Sequence, residues 1–135
     1  MKIYLLRHEI RDLKDPTFYS PLLKQGLVNA QKLKYTLKNI NFDIIFSSPF
    51  KRVLQTIKPY CNLEDKKVNI EYSLYEQIYN HANATVNFDR NNFRKDLKPS
   101  DDEYYLKNLS YRSYLPLSKI EFTKNTEARA RNFLN

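Results

Sequence analysis

Residues 2–8 of the chain read KIYLLRH, an apolar run that stops on Arg7 and His8. A run of this length that is rich in Ile, Tyr and Leu predicts a buried strand. Ligands bind at the carboxyl ends of strands in open α/β sheets, so Arg7 and His8 would supply a cation and a candidate nucleophile there. The alternative is a strand that ends on charged residues merely because it reaches water, and the rest of the chain decides between the two.

The pattern that follows alternates between strands and helices. The predicted strands are residues 2–7, 41–46 and 67–72, and the predicted helices between them are residues 21–40 and 50–58. Ser20 is a suitable N-cap with Pro21 in the first turn, and Pro59 is expected to end the second helix. This β-α-β-α-β order predicts an α/β fold with a parallel sheet and right-handed crossovers.

The length of 135 residues predicts a single domain that spans residues 1–135. Periodicity is lost between Gln77 and Lys119, where the sequence is polar, aromatic and rich in turn residues. A stretch of this length predicts a variable lid or substrate loop. A helical pattern returns at residues 123–134, near the end of the sequence.

Composition narrows the class of partner. The chain carries 23 Lys and Arg against 15 Asp and Glu, a net charge of +8, which favours anionic partners. These residues are scattered without a basic block, so nucleic acid is not expected as a partner. The hypothesis of a nucleic-acid binder rests on the net charge alone.

No signal peptide and no membrane-length apolar run are visible, which predicts a soluble, cytoplasmic protein without a membrane partner. The single cysteine, Cys61, is predicted to lie in the core. With one cysteine an intramolecular disulfide is impossible, and a cysteine-based metal site is not expected.

Chemistry-bearing residues follow the second and third predicted strands. The second strand leads into Ser-Ser-Pro at residues 47–49, and Arg52 then falls in the first turn of the next helix. Because the carboxyl ends of parallel strands share one edge, Arg7, Arg52 and a helix amino end could surround His8 and hold a phosphoryl group. Glu76 follows the third strand and could serve as an acid and base at that edge. The plainer interpretation makes Arg52 and Glu76 ordinary surface residues.

Several motifs, taken in chain order, resemble those of the histidine phosphatase superfamily, also called the phosphoglycerate mutase-like family. They are LLRH at residues 5–8 for a strand ending in Arg-His-Gly, LLKQGLVNA at 22–30 for Leu-Thr-x-x-Gly-x-x-Gln-Ala, SSPFKRVLQT at 47–56 for Ser-Ser-Pro-x-x-Arg-x-x-Gln-Thr, and LYE at 74–76 for Leu-x-Glu. The only glycine, Gly26, falls on the glycine of the second motif. Residues 121–129 are similar to the helix that precedes the family's second histidine.

The resemblance implies a three-layer α/β/α fold with a mainly parallel sheet, and it implies a role for each site residue. His8 would be the nucleophile that becomes phosphorylated, Arg7 and Arg52 would hold the phosphoryl oxygens, and Glu76 would donate the proton. Arg112 lies in a stretch similar to a substrate-binding stretch of the mutases. The implied activity is hydrolysis of a small phosphorylated substrate through phosphohistidine, without metal or cofactor.

Departures from the family pattern leave alternatives open. Glu9 replaces the glycine after the nucleophile and puts a negative charge next to the expected phosphate site. The family's second histidine follows a strand that lies beyond residue 134, so the resemblance predicts a C-terminally incomplete domain that lacks the last strand or strands. His81 is the only other histidine and lies in the loop. The alternatives to a phosphatase are therefore a mutase-type phosphoryl transferase and a catalytically impaired module that binds phosphate ligands.

Overall fold

The computed structural model describes residues 1–15, 19–74, 101–114 and 131 of the chain. In chain order its elements are helix α1 (Lys24–Leu37), strand β1 (Phe46–Ser47), helix α2 (Lys51–Glu64), strand β2 (Asn69–Ile70) and two 3₁₀ turns, Tyr72–Leu74 and Tyr104–Leu106. Helices and parallel strands alternate, which confirms the α/β class.

The two strands pair in parallel, as the sequence predicted, with Phe46 opposite Asn69 and Ser47 opposite Ile70. The strands are shorter than the predicted segments 41–46 and 67–72, and β1 lies at the carboxyl end of its segment. Beside β2, Val68 forms a parallel bridge with Lys107. Residues 106–108 therefore run along β2 in the same direction, on the side away from β1.

Helix α1 begins later than predicted, at Lys24 after Leu23, and Ser20 does not cap it. The backbone N–H of Leu22 donates to Gln55 Oε1, and that of Leu23 donates to the Ile10 carbonyl oxygen. These two N–H groups are satisfied by other parts of the chain, so the backbone before Lys24 stays extended.

Helix α2 continues through Pro59 to Glu64, so the prediction that Pro59 ends the helix was wrong. A proline inside a helix removes one backbone hydrogen bond and costs about 3 kcal/mol. Continuing the helix buries the next two side chains, Tyr60 and Cys61, against the sheet, and this offsets the loss. The burial of Cys61 confirms its predicted place in the core. The helix ends at Asp65, which adopts the left-handed conformation with φ 49°.

The core lies between α2 and the sheet. Its buried members come from α2, from β2 with the residue before it, and from both 3₁₀ turns. They are Leu54, Ile57, Tyr60, Cys61, Val68, Ile70, Tyr72 and Leu106. Leu106 belongs to the region that the sequence presented as an aperiodic loop. Residues 101–114 are therefore packed onto the sheet, with Glu103 and Leu106 both buried.

The expected first strand, residues 2–7, is not formed. Ile3 is 60% exposed and Leu5 is 95% exposed, although the sequence predicted a buried run. A buried strand needs neighbours that satisfy its backbone N–H and C=O groups and cover both of its faces. Within the described residues no strand pairs with this segment, and Tyr4 makes an edge contact with Phe42 at 5.3 Å between ring centroids.

The remaining expectations fall largely on other parts of the chain. The predicted helix at 123–134, except Arg131, and most of the predicted loop at 77–119 lie outside the described residues. Across the part of the chain that is described, no helix has both the length and the apolar character needed to cross a membrane.

Leu106→Ala tests whether residues 101–114 belong to the core. Leu106 is 1% exposed, and we expect its truncation to lower the free energy of unfolding by about 2–5 kcal/mol in urea titrations. Leu109→Ala is the matched control, because Leu109 is 59% exposed and its loss should change stability by less than about 0.5 kcal/mol. Equal effects of the two substitutions would contradict this packing.

Candidate active site

The ring of His8 is oriented by its own neighbour. His8 is half-buried, and its Nδ1 lies 2.8 Å from the carbonyl oxygen of Glu9. A carbonyl oxygen can only accept, so in this hydrogen bond Nδ1 donates and carries the ring proton. In the neutral imidazole the other nitrogen, Nε2, then holds the lone pair. The geometry selects the tautomer in which Nε2 is the nucleophilic atom.

The backbone after His8 is attached to the start of α2. The N–H of Glu9 donates to Thr56 Oγ1 at 3.0 Å, and the Thr56 hydroxyl donates to the Arg52 carbonyl oxygen at 2.8 Å. Thr56 is buried, so this link is shielded from water. It connects the predicted nucleophile and the predicted phosphate-binding arginine through one side chain.

The same backbone segment packs closely against α1 at Gly26. An added Cβ at Gly26 would overlap the carbonyl oxygen of Ile10 and lie 3.1 Å from its backbone nitrogen. No side chain fits between the helix and this strand-like segment, so a glycine is required by the close approach. The Leu23 N–H donates to the same Ile10 carbonyl oxygen at 2.9 Å, which fixes the segment next to α1.

The carboxylate of Glu9 faces α1. Asn29 Nδ2 donates to Glu9 Oε2 at 3.0 Å, and Gln25 Nε2 donates to Asn29 Oδ1 at 2.9 Å. The carboxylate that the sequence placed beside the nucleophile therefore accepts a hydrogen bond from the Asn29 amide on α1. The carbonyl oxygen of Glu9 accepts a separate hydrogen bond from His8. The backbone of Glu9 thus makes the hydrogen bonds to His8 and Thr56, and neither of them involves its side chain.

Arg52 is buried, which differs from the surface position that is usual for an arginine. It is 3% exposed, and its guanidinium carbon lies 4.3 Å from the centroid of the Phe50 ring. Stacking on an aromatic face orients the planar guanidinium. The residues that lead into this helix, Ser47, Ser48 and Phe50, are buried as well. Arg52 therefore lies in the first turn of α2 at the carboxyl edge of the sheet, as predicted.

The other predicted site residues are placed differently. Arg7 is exposed and directly precedes His8. Arg112 is exposed as well, on the segment that follows the Lys107 bridge, where its Nη1 lies 3.5 Å from the Leu109 carbonyl oxygen. Glu76 and His81 lie outside the described residues.

Sequence reasoning missed Glu71, the first residue after β2. This carboxylate is fully buried and accepts five hydrogen bonds. The donors are the Ser73 N–H and Oγ, Ser113 Oγ, the Tyr111 hydroxyl and the Tyr114 N–H. The sequence signal that could have identified Glu71 is a charged residue within a predicted buried strand, two residues before a serine that can donate to it.

Hydrogen bonding keeps Glu71 ionised. Burial alone would raise the pKa of Glu71, but the hydrogen bonds from Tyr111, Ser73 and Tyr114 outweigh it and hold the pKa below its usual value. Burial, together with the hydrogen bond to this carboxylate, raises the pKa of Tyr111. Glu71 is thus a fixed negative charge at the carboxyl end of β2.

A groove of about 390 Å³ lies between α1 and α2, away from His8. Its lining includes Lys24, Gln55, Lys58 and Glu103. Lys58 pairs with Glu103 at 3.5 Å, so these two charges satisfy each other. Because the groove is lined by no histidine, the His8 region is the better candidate for phosphoryl chemistry through histidine. Among the described residues, no group of three or more His, Cys, Asp or Glu side chains is arranged to hold a metal ion.

Comparisons with known proteins identify the family and the fold. The profile of the histidine phosphatase superfamily (branch 1) matches residues 3–132. A similar solved structure is the ecdysone phosphate phosphatase, EPPase, from Bombix mori in complex with tungstate, with a TM-score of 0.64 and 14% identity. The match covers 95% of this chain and 64% of that one, so the chain spans less than two thirds of its structural neighbour. No curated protein matches the sequence significantly.

Gly26→Ala tests the close approach of the segment behind His8 to α1. In an ordinary helix this change stabilises by about 1 kcal/mol, whereas the overlap with the Ile10 carbonyl should cost about 1–3 kcal/mol. We therefore expect net destabilisation in urea titrations and a shifted His8 ring resonance in NMR spectra. Lys32→Ala, on an exposed position of α1, should leave both unchanged. A more stable Gly26→Ala protein with an unshifted resonance would rule out the contact.

Glu71→Gln tests the charge at the end of β2. At pH 7 the loss of charged hydrogen bonds should lower the free energy of unfolding by about 2 kcal/mol. Because the folded pKa is lowered, this stabilisation is present above the unfolded pKa of about 4.3 and is lost as pH falls through the folded value. Urea titrations should show the difference between wild type and variant shrinking in acid. A difference that is constant with pH would show that the charge of Glu71 contributes nothing.

Proposed function

The chain belongs to the histidine phosphatase superfamily, and on that premise we propose that it hydrolyses phosphomonoesters of small metabolites through a phosphohistidine intermediate. Members of this superfamily transfer or hydrolyse phosphoryl groups. The observation that carries the proposal is the hydrogen bond from His8 Nδ1 to the Glu9 carbonyl, which directs the lone pair to Nε2. Arg52 supports it, because its helix also holds the backbone of Glu9.

In the first step of the proposed reaction, His8 Nε2 attacks phosphorus. A bond from nitrogen to phosphorus forms, the ester bond from phosphorus to oxygen breaks, and the leaving alkoxide takes a proton from Glu76. Covalent catalysis of this kind divides one difficult displacement into two easier ones. The Glu9 carbonyl stabilises the positive charge that develops on the ring, because it accepts a hydrogen bond from Nδ1–H throughout.

In the second step, water attacks the phosphorus of phospho-His8 while Glu76 accepts a proton from it. Inorganic phosphate leaves, and Nε2 recovers its lone pair. During both steps the guanidinium groups of Arg7 and Arg52 neutralise charge on the transferring oxygens. The stacking of Arg52 on Phe50 supports this role, because a pre-oriented cation needs no reorganisation when charge develops. This scheme uses neither a metal ion nor a cofactor, and the compartment we propose is the cytoplasm.

Hydrolysis of p-nitrophenyl phosphate tests the proposal. We expect the wild-type protein to release inorganic phosphate and to carry a protein-bound phosphoryl group after an alkaline quench, detected by mass spectrometry. His8→Ala should abolish both signals, because no other residue is proposed to accept the phosphoryl group. Arg52→Ala should lower kcat by about 100-fold or more, as expected for the loss of a charge-stabilising group.

Lys51→Ala is the matched control for Arg52→Ala, because it removes a neighbouring cation that has no proposed role. Turnover that survives in His8→Ala would refute the phosphohistidine mechanism. Transfer of the phosphoryl group to an added alcohol without release of phosphate would assign mutase-type chemistry instead. A wild-type protein that binds phosphate without turnover would be the impaired binding module.

A further inference from the structure

The carboxylate of Glu71 connects two segments of the chain. Oε1 accepts hydrogen bonds from the Ser73 N–H at 2.9 Å, the Ser73 hydroxyl at 2.8 Å and the Ser113 hydroxyl at 2.8 Å. Oε2 accepts from the Tyr111 hydroxyl at 2.6 Å and the Tyr114 N–H at 2.9 Å. One side chain thus holds both the 3₁₀ turn after β2 and the segment 111–114.

This junction lies at the carboxyl edge of the sheet. The Glu71 N–H donates to the Ser47 carbonyl oxygen at 2.9 Å, at the end of β1 and four residues before α2 begins. The Tyr72 N–H donates to Ser113 Oγ at 3.1 Å, which continues the connection between β2 and the segment 111–114. Because all three segments run in the same direction, their carboxyl ends lie at one edge of the sheet, the edge at which β1 leads into α2.

Arg112 is the one cation within the segment 111–114, and its neighbours on both sides are bonded to Glu71. Tyr111 and Ser113 reach the carboxylate with their side chains, whereas Arg112 is exposed. The alternation of a strand-like segment explains the difference, since residues 111 and 113 face inward and residue 112 faces outward. The backbone of Arg112 is therefore fixed while its guanidinium remains accessible to an anion.

We propose that Glu71 is a positioning residue, which holds Arg112 where its guanidinium binds an anionic group of the substrate. This inference rests on the proposed function for the identity of the ligand, an anionic phosphate ester. A neutral amide at position 71 could still accept hydrogen bonds on its oxygen, but its NH₂ group would face the N–H of Ser73 or of Tyr114, which can only donate. Glu71→Gln therefore breaks a hydrogen bond at one of the two oxygen positions without changing the size of the side chain.

A double-mutant cycle tests whether Glu71 acts through Arg112. We compare wild type, Glu71→Gln, Arg112→Ala and the double variant, and measure KM and kcat for p-nitrophenyl phosphate and Kd for inorganic phosphate. Each single substitution should raise KM and Kd by about tenfold, and the double variant should show the same tenfold rise rather than a hundredfold one. The kcat values should change by less than the KM values, because the effect is on binding.

Two controls separate positioning from stability. Glu64→Gln, on an exposed residue of α2, should leave KM and Kd unchanged. If Glu71→Gln does not fold, Tyr111→Phe replaces it in the cycle, because this change removes a single donor and keeps the ring that contacts Phe46. A residue with only a structural role would lower stability and leave KM and Kd unaltered in the folded fraction.

The possible results distinguish this inference from the proposed function. Independent effects that multiply in the double variant, or no effect on KM and Kd, would overturn the role of Glu71 even if the enzyme is active. If the wild type binds phosphate without hydrolysing it, a non-additive cycle in Kd supports the role of Glu71 while the hydrolase proposal fails. Absence of both turnover and phosphate binding would overturn both.

Discussion

The contact between the Ile10 carbonyl and Gly26 is the constraint on which the position of His8 depends. The backbone of residues 9–11 lies against α1 without an intervening side chain, and the Leu23 N–H donates to the same carbonyl oxygen. The same segment is also attached to α2, because the Glu9 N–H donates a hydrogen bond to Thr56 Oγ1. Because both helices hold the chain immediately after His8, its ring orientation is defined although residues 2–7 form no strand.

The charges around the carboxyl edge of the sheet are each held in a different way. Arg52 is stacked on Phe50 and nearly inaccessible, Glu9 is bonded to an amide of α1, and Glu71 is saturated by five donors. Burying an ion is costly unless its hydrogen-bonding groups are satisfied. An arrangement in which these charges are fixed before a ligand arrives is the kind of preorganisation that phosphoryl transfer requires.

Packing in the core stabilises the small sheet whose carboxyl edge carries these charged residues. β1 and β2 contribute two residues each, but α2 packs along the strands and the segment 101–114 adds Leu106 beside β2. The core consequently joins parts of the chain that are distant in sequence. Glu71 adds a second connection between the same parts of the chain. Its partners in the segment 111–114 lie a few residues after Lys107, which bridges to Val68.

Local patterns were sufficient for part of this description. The alternation of strands and helices predicted the parallel sheet, the position of Cys61 after a helical pattern predicted its place in the core, and the motif around Arg52 predicted its position in the first turn of α2. These features follow from periodicity and from residues adjacent in sequence, which a single chain displays directly. The resemblance of the motifs to a family also predicted the match over residues 3–132.

Other features depend on partners that are far away in sequence. Helix α1 begins at Lys24 because the Leu22 and Leu23 N–H groups donate to Gln55 and Ile10, which holds the preceding backbone extended. Helix α2 continues past Pro59 because burial of side chains from its last turns in the core is favourable. Residues 2–7 stay exposed because no described strand pairs with them. Glu71 looked like an ordinary strand residue until the segment 111–114 supplied its donors. The sequence by itself determined the α/β class and which residue types can do the chemistry. The tertiary structure alone decided whether residues 2–7 form a strand, where elements end and which charges are buried, because those depend on long-range hydrogen bonds.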